Sequence, residues 1–230
     1  MKKFFFIFFL ILQNAFSQKN YTELKELGLH GNIESIITKS YSSKIDSTDL
    51  ISKQIVIFNK KGNIIKLIDS IYESGKLKVV EKEYIESNEG TKSLFKIKID
   101  GELVEYGSYE WIDDRNYTIT AFGDDAIKTE YRYYLNQNLR DSIGRTKYYL
   151  YDPKNYSTVE YLASSEYQNY YDQNGYLAKV IEIDDLDNDK KVIIYETLDL
   201  DELGNETKVK LFDKESDSLI ELRTTKYNYY

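Results

Sequence analysis

The sequence predicts an all-β fold, an antiparallel meander of repeated β-hairpins that forms one extended, curled sheet. Three observations predict it. Apolar and polar residues alternate with period two through much of the chain, turn residues recur about every 10 to 15 positions, and one turn grammar is copied along the sequence.

The copied grammar is an apolar or aromatic residue, Asn or Asp, two free positions, Gly, then a β-prone run. It occurs at Phe58-Asn59-Lys60-Lys61-Gly62, at Tyr171-Asp172-Gln173-Asn174-Gly175 and at Leu200-Asp201-Glu202-Leu203-Gly204. Asp or Asn at the first position of a tight turn accepts a hydrogen bond from backbone two residues on, and Gly at the fourth takes a left-handed conformation. Between hydrophobic runs, Asn59/Gly62, Asp172/Gly175 and Asp201/Gly204 therefore read as hairpin turns with a bulge glycine. The repeat is longer than the turn. Laid without gaps, Gly62 to Ile85 matches Gly175 to Leu198, so that Val79-Val80 meets Val192-Ile193, and a unit measures 29 residues from Gly175 to Gly204.

Tyr171-Asp172-Gln173-Asn174-Gly175-Tyr176-Leu177 resembles the YD (Rhs-type) repeat, whose units carry a Tyr-Asp-x-x-Gly-x-Leu core. The opening Leu29-His30-Gly31-Asn32-Ile33-Glu34-Ser35-Ile36 is similar to the start of small exported bacterial proteins built from such repeats. The resemblance implies an exported β-repeat protein. The chain is too short for the toxin-enclosing shell of long Rhs proteins, and it lacks a toxin-like tail.

Residues 1–17 read as a secretory signal peptide. Lys2 and Lys3 are the positive end, Phe4 to Leu12 the apolar run, and Ala15-Phe16-Ser17 the cleavage site. The apolar run is well short of the roughly 20 residues of a spanning helix. No Cys stands at the cleavage site, so the expectation is a secreted or periplasmic protein without a lipid anchor, its residues 18–230 forming a single β-repeat domain.

In order, Tyr21 to Gly28 is a short helical or irregular lead. Phe95, Ile97 and Ile99 then share one strand face, as do Tyr117, Ile119 and Ala121, and next Ile127, Thr129, Tyr131 and Tyr133 against Lys128, Glu130 and Arg132. That is the pattern of antiparallel sheet with one wet face. Turn signals separate the runs at Ser74-Gly75, Asp100-Gly101, Gly123-Asp124-Asp125 and Asp152-Pro153. Tyr148 to Tyr171 carries the weakest repeat signal and reads as an irregular insertion.

Composition excludes several functions. Without Lys2 and Lys3 the chain has 29 basic against 39 acidic residues, a net charge of −10 that repels phosphate backbones and anionic membranes; nucleic acid is not an expected partner. The absence of cysteine rules out disulfides, Cys/His zinc sites and a Cys nucleophile, and His30 is the sole histidine. Asp185, Asp187 and Asp189 alternate, and Glu196 stands where a calcium loop ends. Lys190 occupies the position that needs Gly, so a solvated hairpin tip is the expectation and no cofactor is implied. Asp113-Asp114 and Asp124-Asp125 are the paired carboxylates that a polysaccharide hydrolase, the alternative function, would use. The 23 tyrosines are the larger excess. Tyr131, Tyr133, Tyr149, Tyr151 and Tyr161 are candidates for an aromatic strip binding glycan or an envelope protein, and Trp111 reads as sheet packing. The expected function is non-enzymatic binding through a Tyr-rich sheet face.

Overall fold

The computed structural model describes residues 21–42, 49–73, 75–86, 92–113, 115–185 and 189–230. The leader expected at residues 1–17 lies outside them. After one helical turn, α1 (Glu23–Glu26), come β1 (Ile33–Ser42), β2 (Leu50–Phe58), β3 (Ile64–Glu73), β4 (Lys76–Glu86), β5 (Lys92–Ile99), β6 (Glu102–Trp111) and β7 (Asn116–Gly123). They are followed by β8 (Ile127–Leu135), β9 (Asp141–Tyr151), β10 (Thr158–Tyr171), β11 (Leu177–Asp184), β12 (Asp189–Leu200), β13 (Glu206–Asp213) and β14 (Ser218–Tyr229). Each strand pairs antiparallel with its sequence neighbour, and β1 pairs with β14, with Ile36 opposite Tyr227 and Thr38 opposite Thr225.

The meander is as the sequence implies, but the expected extended, curled sheet is corrected to a closed barrel. A sheet of fourteen strands left open would expose two rows of unpaired backbone groups, and the β1–β14 ladder satisfies both. The expected irregular insertion at Tyr148 to Tyr171 is also corrected. It comprises the end of β9, a turn at 152–157 and the whole of β10, fourteen residues long, whose pairing with β9 carries two register shifts and with β11 one.

Even- and odd-numbered hairpins close at opposite ends. The β2–β3, β6–β7, β8–β9, β10–β11 and β12–β13 turns share one end with α1, and this end is capped. The barrel's small core gathers there. One cluster holds Ile33, Ile36, Val56, Phe58 and Ile64, with Leu24 and Leu29 packed on it; the other holds Phe95, Tyr117, Ile119, Ala121 and Leu135, with Tyr21 packed on it.

A helix of four residues does not hold in water on its own; this one is held by its surroundings. Thr22 caps it, the buried Glu23 carboxylate accepts the Ile64 N–H at 2.7 Å, and the Leu24 N–H donates to the Gly62 carbonyl at 3.1 Å. Glu26 accepts the hydroxyls of Tyr21 and, at 2.8 Å, Tyr117. Gly28 ends it with a left-handed φ of 66°.

The outer wall is charged. The inward positions are fixed by the buried Phe95, Tyr117 and Ile119, which leaves Lys66, Glu81, Glu83, Lys96, Glu130, Arg145 and Glu166 facing out. They form cross-strand pairs, among them Lys66–Glu81 at 3.0 Å, Lys96–Glu83 at 2.8 Å and Arg145–Glu166 at 2.6 Å.

Candidate functional site: a half-hollow lumen

Eight strands make a barrel that side chains just fill; fourteen make one they do not. Here the lumen divides into a filled and an empty half. The filled half, inside β4 to β10, holds Tyr84, Tyr109, Tyr117, Tyr133 and Tyr167. Tyr117 and Tyr133 stack at 4.8 Å, and Tyr109 lies 6.3 Å from Tyr84. Burial pushes the phenols of Tyr21, Tyr109 and Tyr117 well above their ordinary range, and the neighbouring Glu26 adds to the rise, so these tyrosines act as hydrogen-bond donors at any ordinary pH. Tyr131, next along, is pushed up to about 12, chiefly by desolvation and then by Glu105.

The empty half lies inside β1–β3 and β11–β14. It is a cavity of about 840 Å³ that runs from a floor made by Leu27 and Leu29 to residues at the opposite, open rim. Period two explains its lining. Thr38 and Ser40 of β1, Gln54 of β2, Asp69 of β3, Tyr195 of β12, Val209 of β13, and Arg223, Thr225 and Tyr227 of β14 all face inward. The Arg223 guanidinium donates through Nε (2.6 Å) and a terminal nitrogen (3.2 Å) to Glu221 and lies 5.9 Å from the Tyr195 ring. Asp69 accepts from the Gln54 amide at 3.2 Å, and burial raises its pKa. Burial likewise raises that of Glu206, whose carboxylate accepts the Thr197 hydroxyl at 2.5 Å. Three carboxylates against one guanidinium make this wall acidic. Hydroxyl, amide and phenol groups give it many donors and acceptors.

The structure separates the sequence-derived candidates. Tyr131 and Tyr133 face the lumen. Tyr149, Tyr151 and Tyr161 lie on the outer wall, where Tyr149 and Tyr161 meet edge to face at 5.7 Å. Tyr151 is buried beneath Phe122 (5.2 Å) and Tyr156 (5.9 Å), so the five do not form one strip. Asp113 accepts the Arg115 N–H at the capped end, and Asp125 accepts the Ile127 N–H at the open end. Asp113 and Asp125 thus stand at opposite ends of β7, and Asp114 lies outside the described residues. Asp185 accepts the Ser164 hydroxyl and Asp189 opens β12; Asp187 lies outside the described residues. No group of three or more metal-ligating side chains is found among the described residues. The His30 backbone is clamped by the buried Asn205 side chain, which accepts its N–H at 2.7 Å and donates to its carbonyl at 3.0 Å. Trp111 packs on Tyr21 at 4.6 Å.

The expected turns fall where the spacing puts them. The Asn59, Asp172 and Asp201 side chains each accept two backbone N–H groups at 2.8–3.0 Å, and Gly62, Gly175 and Gly204 have φ of 85–87°. Their carbonyls then take donors from neighbouring segments: the Leu24 N–H on Gly62, Arg140 on Gly175 at 2.8 Å and the Tyr176 hydroxyl on Gly204 at 2.9 Å. The turns are what fasten the cap. The lumen lining, in which Glu221, Arg223, Thr225 and Tyr227 of β14 alternate inward, is not among the expected sites.

The fold is thus a meandering β-barrel capped at one end. No family model and no curated protein sequence matches the chain. Among solved structures, a porin-like protein from Bacteroides vulgatus superposes with a TM-score of 0.55 at 11% identity, over 86% of this chain and 99% of that one. A porin-like protein from Bacteroides uniformis (TM-score 0.44, 11% identity) covers 86% of this chain and 96% of its own. A LolA superfamily protein from Nitrosomonas europaea (0.27, 12%) covers 95% and 93%. At such identity the first likeness establishes the barrel fold and no function.

Proposed function

We propose that this chain is an exported, non-enzymatic envelope protein that binds a small polyhydroxylated ligand, a glycan fragment, in the empty half of its lumen. The observation that carries the reading is the floored cavity of about 840 Å³, lined by tyrosines and many hydrogen-bonding groups. Ligand sites are commonly concave and of roughly 300–1,000 Å³. Tyr195 and Tyr227 offer ring faces for a sugar, and Gln54, Arg223, Thr38 and Thr225 offer donors and acceptors to its hydroxyls. The acidic wall favours neutral or amino sugars over uronic acids. A binding role without catalysis is supported by Asp113 and Asp125, whose carboxylates each accept a turn N–H.

Calorimetric titration of the mature protein with neutral, amino and uronic oligosaccharides tests the reading. The first two classes should bind and the third should not. Thr38→Trp, which fills the cavity from β1, should abolish binding while the circular dichroism spectrum is unchanged. Absence of binding across the panel, or binding unaffected by Thr38→Trp, removes the lumen as the site.

A second reading rests on the outer wall near the open rim. Tyr106 (42% exposed) stacks on Phe122 at 5.8 Å, and Tyr156 (52%) and Tyr161 (51%) lie close by, which gives an aromatic ledge for a glycan or protein. Binding that survives Thr38→Trp but is lost on Tyr161→Ala assigns the ledge instead.

A further inference from the structure

The strands of the closed barrel are staggered, so several of them overhang a neighbour at one end, and among these the start of β10 lies at the open rim. β11 pairs with β10 from Ser165 to Tyr171, and the Asp185 N–H reaches the Ser164 carbonyl. From 158 to 163 β10 is paired with β9 on one side, while among the described residues no strand pairs with its other side. This overhang is about 20 Å of edge at 3.3 Å per residue. Its sequence is Thr158-Val159-Glu160-Tyr161-Leu162-Ala163, and residues 158 to 162 are exposed on both faces, Val159 to 66%.

Edges of this kind are normally blunted by Lys, Pro or a covering segment, because every second residue points an N–H and a C=O outward. This one has neither Lys nor Pro, and it is rich in β-prone Thr, Val and Tyr. Beside the edge, the lumenal face of β10, β11 and β12 carries a groove of about 330 Å³ at the open rim, lined in part by Glu182, Asp184, Asp189 and Lys191. With Glu160 on the edge and Asp185 beside it, this part of the rim holds five carboxylates and two lysines, Lys190 and Lys191. A second copy of this acidic chain would set like charges together; a basic strand would not.

We propose that the open edge of β10 docks an extended, basic segment of another protein, added antiparallel as a strand, with lysine or arginine near its N-terminal end in the Glu182/Asp184/Asp189 groove. Backbone hydrogen bonds from the overhang supply affinity, and the carboxylates supply register and selectivity. The proposal is independent of the lumen reading.

Fluorescence anisotropy tests it with labelled decapeptides, two lysines followed by alternating Thr and Val, against the same peptide with two glutamates. The lysine peptide should bind at least tenfold more tightly at low salt, and N-methylation of alternate backbone amides should abolish its binding. Glu160→Lys combined with Asp185→Lys, both exposed, should erase or reverse the preference in a barrel of unchanged circular dichroism. Equal binding of the two peptides, binding that survives N-methylation, or no binding would overturn the proposal. So would a concentration-dependent dimer in light scattering that the lysine peptide does not dissociate, since the edge would then belong to a second copy.

Discussion

Arg140 joins three parts of the capped end through one guanidinium. Its Nε donates to the Glu26 carbonyl at 3.1 Å, a terminal nitrogen donates to Gly175 at 2.8 Å, and the plane lies 4.4 Å from the Tyr171 ring. A lysine can make one of these contacts but not the planar set. Arg140→Lys should therefore lower unfolding stability in urea by about 1–2 kcal/mol, with the loss at the cap detectable as faster amide exchange in residues 22–29. Gly28 depends on the same group. A Cβ there would stand 1.8 Å from an Arg140 nitrogen, so Gly28→Ala should perturb the cap through both its left-handed φ and the clash. Asp141 works in the opposite direction. It accepts the Tyr167 hydroxyl through one carboxylate oxygen, while the other is buried and accepts nothing, and desolvation raises its pKa from 3.8 to about 6. Because the folded-state value is the higher one, the protonated form is favoured in the fold, and the cost of the ionised form grows as pH climbs from about 4 through about 6. Asp141→Asn should thus leave stability nearly unchanged at pH 4 and raise it at pH 7.5, by on the order of 2 kcal/mol. Equal effects at both pH values would show that Asp141 is not desolvated in solution.

The hairpin turn is the element that the sequence states most clearly. Asp172→Ala removes two hydrogen bonds to the turn backbone, and Gly175→Ala forces a side chain to a φ of 87°; each should cost about 1 kcal/mol in chemical denaturation. A fourth turn has the same hydrogen bonds without the letters. Asn136 accepts the N–H groups of Asn138 and Arg140 at 2.8 and 3.1 Å, and Leu139 takes the left-handed position at φ 60°. The glycine pattern could not find it, because Leu139 packs against the core cluster and that contact offsets the backbone strain. The alternation in β7 and β8 also proved correct, with Tyr117, Ile119 and Ala121 buried and Glu130 outside. What the strands could not reveal is where they stop pairing. A one-faced amphipathic strand suits an open sheet as well as a barrel, and the β1–β14 ladder joins residues nearly two hundred positions apart. The lumen was missed for a related reason. In β14 both faces are polar, Glu221, Arg223 and Thr225 inside and Thr224 and Lys226 outside, so period two has no hydrophobic partner to mark the inner face.

For the whole molecule, the question that closure raises is what solvent the barrel stands in. A bilayer-spanning barrel carries an outward apolar band about 25 Å tall, and a lysine or arginine at the bilayer midplane costs roughly 2–4 kcal/mol. Here cross-strand ion pairs occupy that zone: Glu83 receives Lys96, and Glu166 receives Arg145, near the middle of their strands. Two such cations would cost about 4–8 kcal/mol, comparable to the whole stability of an ordinary domain. In water the same pairs cost nearly nothing and discourage other sheets from stacking on the wall. The shared barrel shape therefore does not carry a pore with it, and α1 with its collar of turns fills one end where a channel would need an opening. The expected outcome is that the mature chain refolds without detergent into a barrel by circular dichroism and remains in the supernatant when sedimented with liposomes, neutral or anionic. A requirement for detergent in refolding, or co-sedimentation that resists high salt, would mean that the outer wall meets lipid, and the water-bathed cup would have to be abandoned along with its ligand.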